Sequence, residues 1–331
     1  AGLSNASAVS DVTLVADTGA VVLFPGGFEY AEPMVLTDLT RDEGQVGTRT
    51  VLRGSGLLGG SDHVRRVLLA GTAADILGFN DTHIVVRATA GTPGQGDVTV
   101  VTGNGAYVTS ANLWSFTTPG AVTGLSPAFG QGGTRVTIFG TRLLGGGSSV
   151  ASVRLGSVVH TTVVRGNDTQ VVIDALPGVA GASDVVVTSN TRATVTAPGA
   201  WTYLVPGSID AITPASGQVG TVVSIAGARL LGGSQYVAEV VLADDVGCTL
   251  VRSNDTLVVC RLTNSTVTGL VDVTVVGALG SRVVASDGFQ MLQASSATAV
   301  FPNVAQRGTL VTVSGQRLRG GGSTVAAAFV A

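Results

Sequence analysis

Lysine is absent from this 331-residue chain, and charged residues of every kind make up only 12% of it. The cations are all arginine and lie scattered, so the sequence lacks the basic patch that nucleic-acid binding requires. No apolar run approaches the roughly 18–20 residues that cross a bilayer. We therefore expect no nucleic-acid partner and no membrane span within these residues.

The residues that usually carry catalysis or bind metals are also few. His63, His83 and His160 are the only histidines, and they occupy unmatched positions in the repeat described below, so they build no repeated metal site. Gly54–Gly59 has the spacing of a dinucleotide loop, but no helical pattern follows it, as that site requires. Asp17-Thr18-Gly19 occurs once, whereas aspartic-protease chemistry needs two carboxylates. We expect no enzyme activity, no cofactor and no metal.

What the chain has in abundance is glycine, at 47 residues, together with valine and threonine. Glycine is present at about twice its usual share of roughly 7%. Valine and threonine are β-branched and favour strands, and glycine favours tight turns. The composition predicts an all-β protein.

Three sequence markers repeat with a period of about 87 residues. Gly-Thr pairs begin at Gly47, Gly133, Gly220 and Gly308, at intervals of 86, 87 and 88. Aromatic pairs at Phe28/Tyr30, Trp114/Phe116 and Trp201/Tyr203, with Phe289/Met291 as the fourth copy, keep the same intervals. Asn-Asp-Thr recurs at Asn80, Asn167 and Asn254. Independent markers with one period indicate tandem modules.

The second module can be divided into short strands. The predicted strands are residues 122–127, 134–139, 150–155, 160–165, 170–173, 184–188 and 201–204. About seven short strands with no helical periodicity are typical of a two-sheet, immunoglobulin-like sandwich. An aromatic pair two residues apart points to one face of its strand, either into the core or toward a ligand; recurrence in every copy favours the core.

The repeated segments resemble the IPT/TIG family of immunoglobulin-like domains. The matching pattern is Ser126-Pro127 followed by residues 132–140, then Thr213-Pro214 with 220–227 and Phe301-Pro302 with 308–315; the first copy departs at Thr40-Arg41. The resemblance covers almost the whole chain and implies the fold. It does not fix a function, because the family occurs in receptor ectodomains, adhesins, enzyme accessory modules and some transcription factors.

The period divides the chain into five segments. Residues 1–34 form the closing half of a module, 35–120, 121–207 and 208–295 are complete modules, and 296–331 form an opening half. A half-sandwich cannot bury its apolar face alone, so something must complete it. Two explanations remain open: a longer continuous array, or head-to-tail assembly in which one copy's closing strands complete the next copy's opening half.

A disulfide is predicted between Cys248 and Cys260, which lie equally far from Asn254 at the centre of a turn. Residues equidistant from a hairpin turn face each other at about disulfide reach. The IPT/TIG resemblance also implies a cysteine pair around this hairpin. The alternative is two reduced, buried thiols, since the sister modules have Thr161 with Ile173 and Ala74 with Val86.

N-linked glycosylation is predicted from five N-x-[ST] sequons, of which three are the repeated turn. They begin at Asn5, Asn80, Asn167, Asn254 and Asn264. The alternative is that asparagine and aspartate only shape turns there.

The leading functional hypothesis is a structural segment of an extracellular, glycosylated fibre of stacked modules. Short and similar linkers should let each module contact mainly its neighbours, and copies of the chain would join head to tail. The alternative is a receptor or adhesin ectodomain that binds a glycan or a protein, for which one module should carry divergent loops.

Overall fold

The computed structural model of the chain describes residues 8–243, 246–265 and 267–329, and every regular element in them is a β-strand. Three complete two-sheet sandwiches lie between two smaller sheets. The first small sheet is an antiparallel hairpin of β1 (Ala8–Val15) and β2 (Val21–Tyr30), and the last pairs β28 (Ser296–Phe301) with β29 (Thr312–Gln316). The all-β, tandem immunoglobulin-like fold is confirmed.

The first complete module has eight strands. They are β3 (Val35–Leu39), β4 (Glu43–Gly44), β5 (Arg49–Ser55), β6 (Val64–Leu69), β7 (Thr72–Phe79), β8 (His83–Arg87), β9 (Gly94–Thr102) and β10 (Tyr107–Phe116). Their order is β3-β5-β8-β7-β6-β9-β10-β4, and only the β4–β10 pair is parallel. Strand β7 pairs with β6 in one sheet and then with β8 in the other, so it links the two layers.

The second module has the same plan, but its linking strand is broken. Its strands are β11 (Ala121–Ser126), β12 (Phe129–Gly130), β13 (Arg135–Thr141), β14 (Val150–Leu155), β15 (Val158–His160), β16 (Arg165–Gly166), β17 (Gln170–Asp174), β18 (Gly181–Ser189) and β19 (Thr194–Tyr203). The predicted strand over residues 160–165 is therefore wrong. The chain leaves one sheet after His160 and enters the other at Arg165, because the backbone crosses between layers there.

The third module returns to the continuous arrangement of the first. Its strands are β20 (Ser208–Thr213), β21 (Ser216–Gly217), β22 (Val222–Ala228), β23 (Val237–Leu242), β24 (Val246–Ser253), β25 (Leu257–Leu262), β26 (Gly269–Gly277) and β27 (Arg282–Met291). Their order, β20-β22-β25-β24-β23-β26-β27-β21, matches the first module strand for strand.

The last two strands of each module form a long hairpin, here called the closing hairpin. In the second module it extends the predicted strands 184–188 and 201–204 to nine and ten residues. A bulge interrupts the pairing at Gly199, whose φ is 61° and whose amide donates to Asp184 Oδ1 at 2.9 Å. Asp11, Asp97 and Asp272 accept the same amide bond in the other closing hairpins. Because the bulge breaks the two-residue alternation of side chains, the sequence pattern does not reveal the full length of the strand.

Each complete module has its own apolar core, and the aromatic pairs belong to it. Trp114 and Trp201 are 1% and 0% exposed, and Phe289 is 1% exposed. Trp201 packs edge-on against Tyr203 with ring centroids 5.6 Å apart. Burial confirms the core interpretation, and it raises the pKa of Tyr203 to about 12 because the phenolate would lose its solvation.

Candidate functional site: the junctions between modules

A single glutamine side chain bridges the first two complete modules. Gln45 is 2% exposed, and its Nε2 donates to the carbonyl oxygen of Thr194 at 3.0 Å. Its Oε1 accepts from the amide of Gly120, the last linker residue, at 2.7 Å. The local turn is held by Thr48, whose Oγ1 accepts from the Gln45 amide at 3.1 Å. Both ends of the buried amide are therefore satisfied by the next module and its linker.

Backbone hydrogen bonds reinforce the same contact. The Arg49 amide donates to the Thr191 carbonyl, and the Thr194 amide donates to the Val46 carbonyl, each at 3.0 Å. Gly47 has a φ of 90°, and a Cβ there would lie 2.6 Å from a backbone carbonyl oxygen of the facing turn. Glycine is thus required by both the backbone angle and the close approach.

The junction of the second and third modules repeats this geometry. Gln131 is 3% exposed; its Nε2 donates to the Arg282 carbonyl at 3.2 Å, and its Oε1 accepts from the Gly207 amide at 2.8 Å. The paired backbone bonds recur as Arg135 to Leu279 at 2.9 Å and Arg282 to Gly132 at 3.1 Å. Two junctions with the same donors and acceptors define one docking geometry.

The third junction shows the contact between the glutamine and the last linker residue. Gln218 Oε1 accepts from the Ser295 amide at 2.7 Å. The glutamine at each of these junctions begins a Gln-x-Gly-Thr sequence, which occurs at Gln45, Gln131, Gln218 and Gln306. The glutamine keeps the intervals of the Gly-Thr pair, but nothing in the sequence pattern shows that this polar residue faces another module.

The linkers themselves are short and tied at both ends. Four residues separate β10 from β11, β19 from β20 and β27 from β28. The first linker residue donates its amide to the module behind it, as Thr117 does to Gly44 at 2.9 Å and Leu204 to Gly130 at 2.7 Å. The last linker residue donates to the glutamine. These linkers are not flexible tethers.

Cys248 and Cys260 form a disulfide between β24 and β25 with their Cα atoms 5.5 Å apart. They are not directly opposite, as the equal spacing from Asn254 had suggested. A bulge between Leu250 and Arg252 shifts the register, so Cys248 pairs with Leu262 and Cys260 with Leu250. Strand pairing also places His160, not Thr161, at the Cys248 position of the second module.

The Asn-Asp-Thr turns are exposed in all three complete modules. Asn167 Oδ1 accepts from the amides of Thr169 at 2.9 Å and Gln170 at 2.8 Å, and Asn80 and Asn254 do the same in their modules. Among the described residues, no hydrogen bond engages the Nδ2 atoms of these three side chains, which are the atoms a glycan would use.

The other two sequons differ from the turns. Asn264 is exposed, and its Oδ1 accepts from the Gly247 amide at 3.1 Å, but the third residue of its sequon, Thr266, lies outside the described residues. Asn5 also lies outside them.

Within the described ranges, no group of three or more His, Cys, Asp or Glu side chains is placed to hold a metal ion. His160 is buried at 2% exposure, with Nε2 accepting from the Leu176 amide at 2.9 Å and Nδ1 3.2 Å from the Val153 carbonyl. The same part of the chain contains no helix with the length and apolarity needed to cross a membrane.

Comparison with known families identifies the modules. The IPT/TIG domain model matches residues 34–117, 121–203 and 208–290, and the chain belongs to this family. No curated protein sequence matches the chain.

Solved structures with a similar fold are distant. A plexin A4 full extracellular region is 20% identical, with 82% of this chain and 26% of that chain covered at a TM-score of 0.44. This chain therefore spans about a quarter of the plexin chain's length. SGBP-B of a Bacteroides ovatus mixed-linkage glucan utilization locus, in complex with a mixed-linkage heptasaccharide, is 12% identical, with 82% and 73% covered at a TM-score of 0.24. At these values neither likeness carries an argument about function.

Proposed function

We propose that the chain is a non-enzymatic, structural segment of an extracellular, glycosylated fibre in which IPT/TIG modules stack end to end. The observation that carries this proposal is the repeated glutamine junction. A buried side-chain amide whose partners lie in the neighbouring module and its linker fixes orientation, because any rotation of the modules would leave buried polar groups unpaired. The Cys248–Cys260 disulfide and the exposed sequons support an oxidising, extracellular setting.

Head-to-tail joining of copies is the finer part of the proposal. Val313 in the last small sheet and Val311 just before its second strand are 45% and 43% exposed, whereas their equivalents in the second module, Ile138 and Val136, are fully buried. The first hairpin shows the same contrast, since Phe28 is 51% exposed where Trp201 is buried. The two small sheets thus expose the apolar faces that meet inside a complete module, and we propose that they meet between copies.

Sedimentation of two complementary variants tests this joining. Phe28→Asp blocks the first sheet and Val313→Asp blocks the last, and each leaves the three complete modules unchanged. We expect the wild-type chain to form species that grow with concentration, each variant to stay monomeric, and an equimolar mixture to form dimers only. A wild-type chain that stays monomeric at high concentration would reject joining between copies and leave the continuous array as the form of the fibre.

Small-angle scattering tests the stiffness of the array. The proposal expects a rod whose scattering profile fits one arrangement of the three complete modules. A profile that requires a broad ensemble of inter-module angles would contradict it.

A second candidate is the ectodomain of a receptor or adhesin that binds a glycan or a protein. It is favoured by one departure from the repeat: Arg192 occupies a turn position where the equivalent residues, Gly19, Gly105 and Gly280, are glycine.

A further inference from the structure

Arg192 has a left-handed backbone conformation, and glycine occupies the equivalent position in the other copies of the repeat. Its φ is 70°, and the equivalent Gly19, Gly105 and Gly280 have φ values of 84°, 89° and 86°. A long side chain in the left-handed region is strained, and such strain concentrates at functional sites. The turn would form at least as well with glycine, so folding of the turn does not require the arginine.

Arg192 lines a cleft between the first two complete modules. The cleft has a volume of about 430 Å³ and is formed by the ends of β5 and β8 on one side and the tip of the β18–β19 closing hairpin on the other. Its polar lining consists of Arg49, Arg87, Arg192, Asp75, Thr89, Thr188 and Thr194. This volume is within the range of small-molecule sites.

Two of the arginines face each other across adjacent strands. Arg49 and Arg87 are direct cross-strand partners, a like-charge arrangement that is unfavourable without an anion nearby. Asp75 forms an ion pair with Arg87, whose Nη2 and Nε atoms donate to Asp75 Oδ2 at 2.7 and 3.0 Å. Within the described residues neither Arg49 nor Arg192 has an acidic partner. The cleft therefore holds an excess of two positive charges in a chain whose net charge is −3.

At the next junction along the chain, an acidic residue pairs with the arginine that is equivalent to Arg49. Arg135, the equivalent of Arg49, faces Asp174 and donates to it at 2.8 and 3.0 Å. This hydrogen-bonded pair lowers the pKa of Asp174. Gly280 replaces the strained arginine there. Among the described residues, the second junction still has one unpaired arginine nearby, because Arg282 replaces Thr194 and its charge also lowers the pKa of Asp174. The excess of two charges, with an arginine at the turn, is thus a property of the first junction and not of the repeat.

We propose that this cleft binds an acidic saccharide through a sulfate or carboxylate group held by Arg49 and Arg192. Guanidinium groups recognise both oxyanions with paired hydrogen bonds. The threonine hydroxyls that line the cleft can accept hydrogen bonds from sugar hydroxyls, and the lining includes no aromatic residue that would anchor a peptide. The inference rests on the proposed stiff array, because both modules must stay in place to form the cleft.

Titration calorimetry of the full chain with a heparin-derived sulfated disaccharide tests the inference. We expect Arg192→Gly to weaken binding roughly tenfold or more, the usual effect of losing a charged hydrogen-bonding partner. The same variant should unfold at an equal or higher temperature, since it relieves backbone strain. Arg66→Gln, which removes one charge from an exposed position outside the cleft, should bind like the wild type.

Three outcomes would overturn the inference. The first is a wild-type chain that does not bind the disaccharide, and the second is Arg192→Gly binding as tightly as the wild type. The third is a hexaglutamate peptide that binds as tightly as the disaccharide and depends equally on Arg192, which would assign the cleft to acidic peptides. Scattering by the wild type and by Arg192→Gly is measured in parallel. If one arrangement of the modules fits both profiles, the array is stiff and only the binding inference has failed.

Discussion

Gln45 and Thr194 lie 149 residues apart in sequence, yet the Gln45 side-chain amide donates to the Thr194 carbonyl oxygen at 3.0 Å and joins two separate sandwiches. The other end of the same amide holds the linker through Gly120. One side chain thus fixes both the neighbouring module and the chain that leads to it. Testing this arrangement requires changing the glutamine without disturbing either core.

Replacing Gln131 with alanine should loosen the second junction. The change leaves the Arg282 carbonyl and the Gly207 amide without partners, at a cost of about 1–3 kcal/mol in the free energy of docking. Scattering should show a wider spread of inter-module angles, and calorimetry should show less coupled unfolding of the two modules. Gln131→Glu is the matched variant, because it keeps the shape and the acceptor but loses the donor. If neither variant changes scattering or calorimetry, the glutamine does not set the joint.

Removing the disulfide should destabilise the third module alone. Cys248→Ala with Cys260→Val reproduces Ala74 and Val86 of the first module and avoids buried polar groups. Loss of a bond that closes a short loop should reduce the free energy of unfolding by about 2–4 kcal/mol. Denaturation with and without reductant measures this: the wild type should lose stability in reductant, and the variant should not respond. A wild type that is insensitive to reductant would argue against a stabilising bond.

Intact-mass analysis of the secreted chain before and after enzymatic deglycosylation should show N-linked glycans on several of the five sequons. Thr169→Ala should remove the glycan at Asn167 and one exposed bond, from the Thr169 hydroxyl to Asn167 Oδ1 at 3.1 Å, but keep the two backbone bonds that shape the turn. Asn167→Ala should remove both the glycan and the turn bonds and cost about 1 kcal/mol. A mass equal to that of the bare polypeptide would refute the glycan prediction.

The second module should lose stability in mild acid through His160. Burial lowers the pKa of this histidine below its ordinary 6.5, and the neutral ring accepts the Leu176 amide at Nε2. Because the unfolded state binds the proton more readily, the contribution is fully present above pH 6.5 and decreases as the pH falls below it. Unfolding measured at pH 7.5 and pH 5 should show this loss in the wild type. His160→Gln, which keeps an acceptor that does not titrate, should flatten the dependence; an unchanged slope would assign it to other groups.

The sequence predicted the repeat, the sandwich and the buried aromatic pairs because each depends on local patterning. Val136 and Ile138 alternate with polar residues on one strand, and Trp201 recurs at a fixed interval, so both signals are visible without a structure. What could not be predicted depends on breaks in that pattern. Bulges near Gly199 and Arg252 change the pairing partner without changing the composition of the strand.

The junction was missed for a different physical reason. Gln45 follows the short strand β4 and is buried by a surface that belongs to another module, so no periodicity within its own module indicates it. Arg192 could not be recognised as unusual from the aligned repeats alone. The backbone angles are needed as well, because only φ shows that this turn favours glycine.

The repeated glutamine contact also has a geometric consequence for the array. When successive units are related by the same rotation and translation, repetition of that operation generates a screw axis. Any feature present once per unit, such as the Asn-Asp-Thr turn, then winds around the axis at constant pitch. Sugars attached at those turns would form a helical row around the filament, with a continuous groove free of sugar between successive turns of the helix. The pitch of this helix would be set by the angle between modules at the glutamine junction.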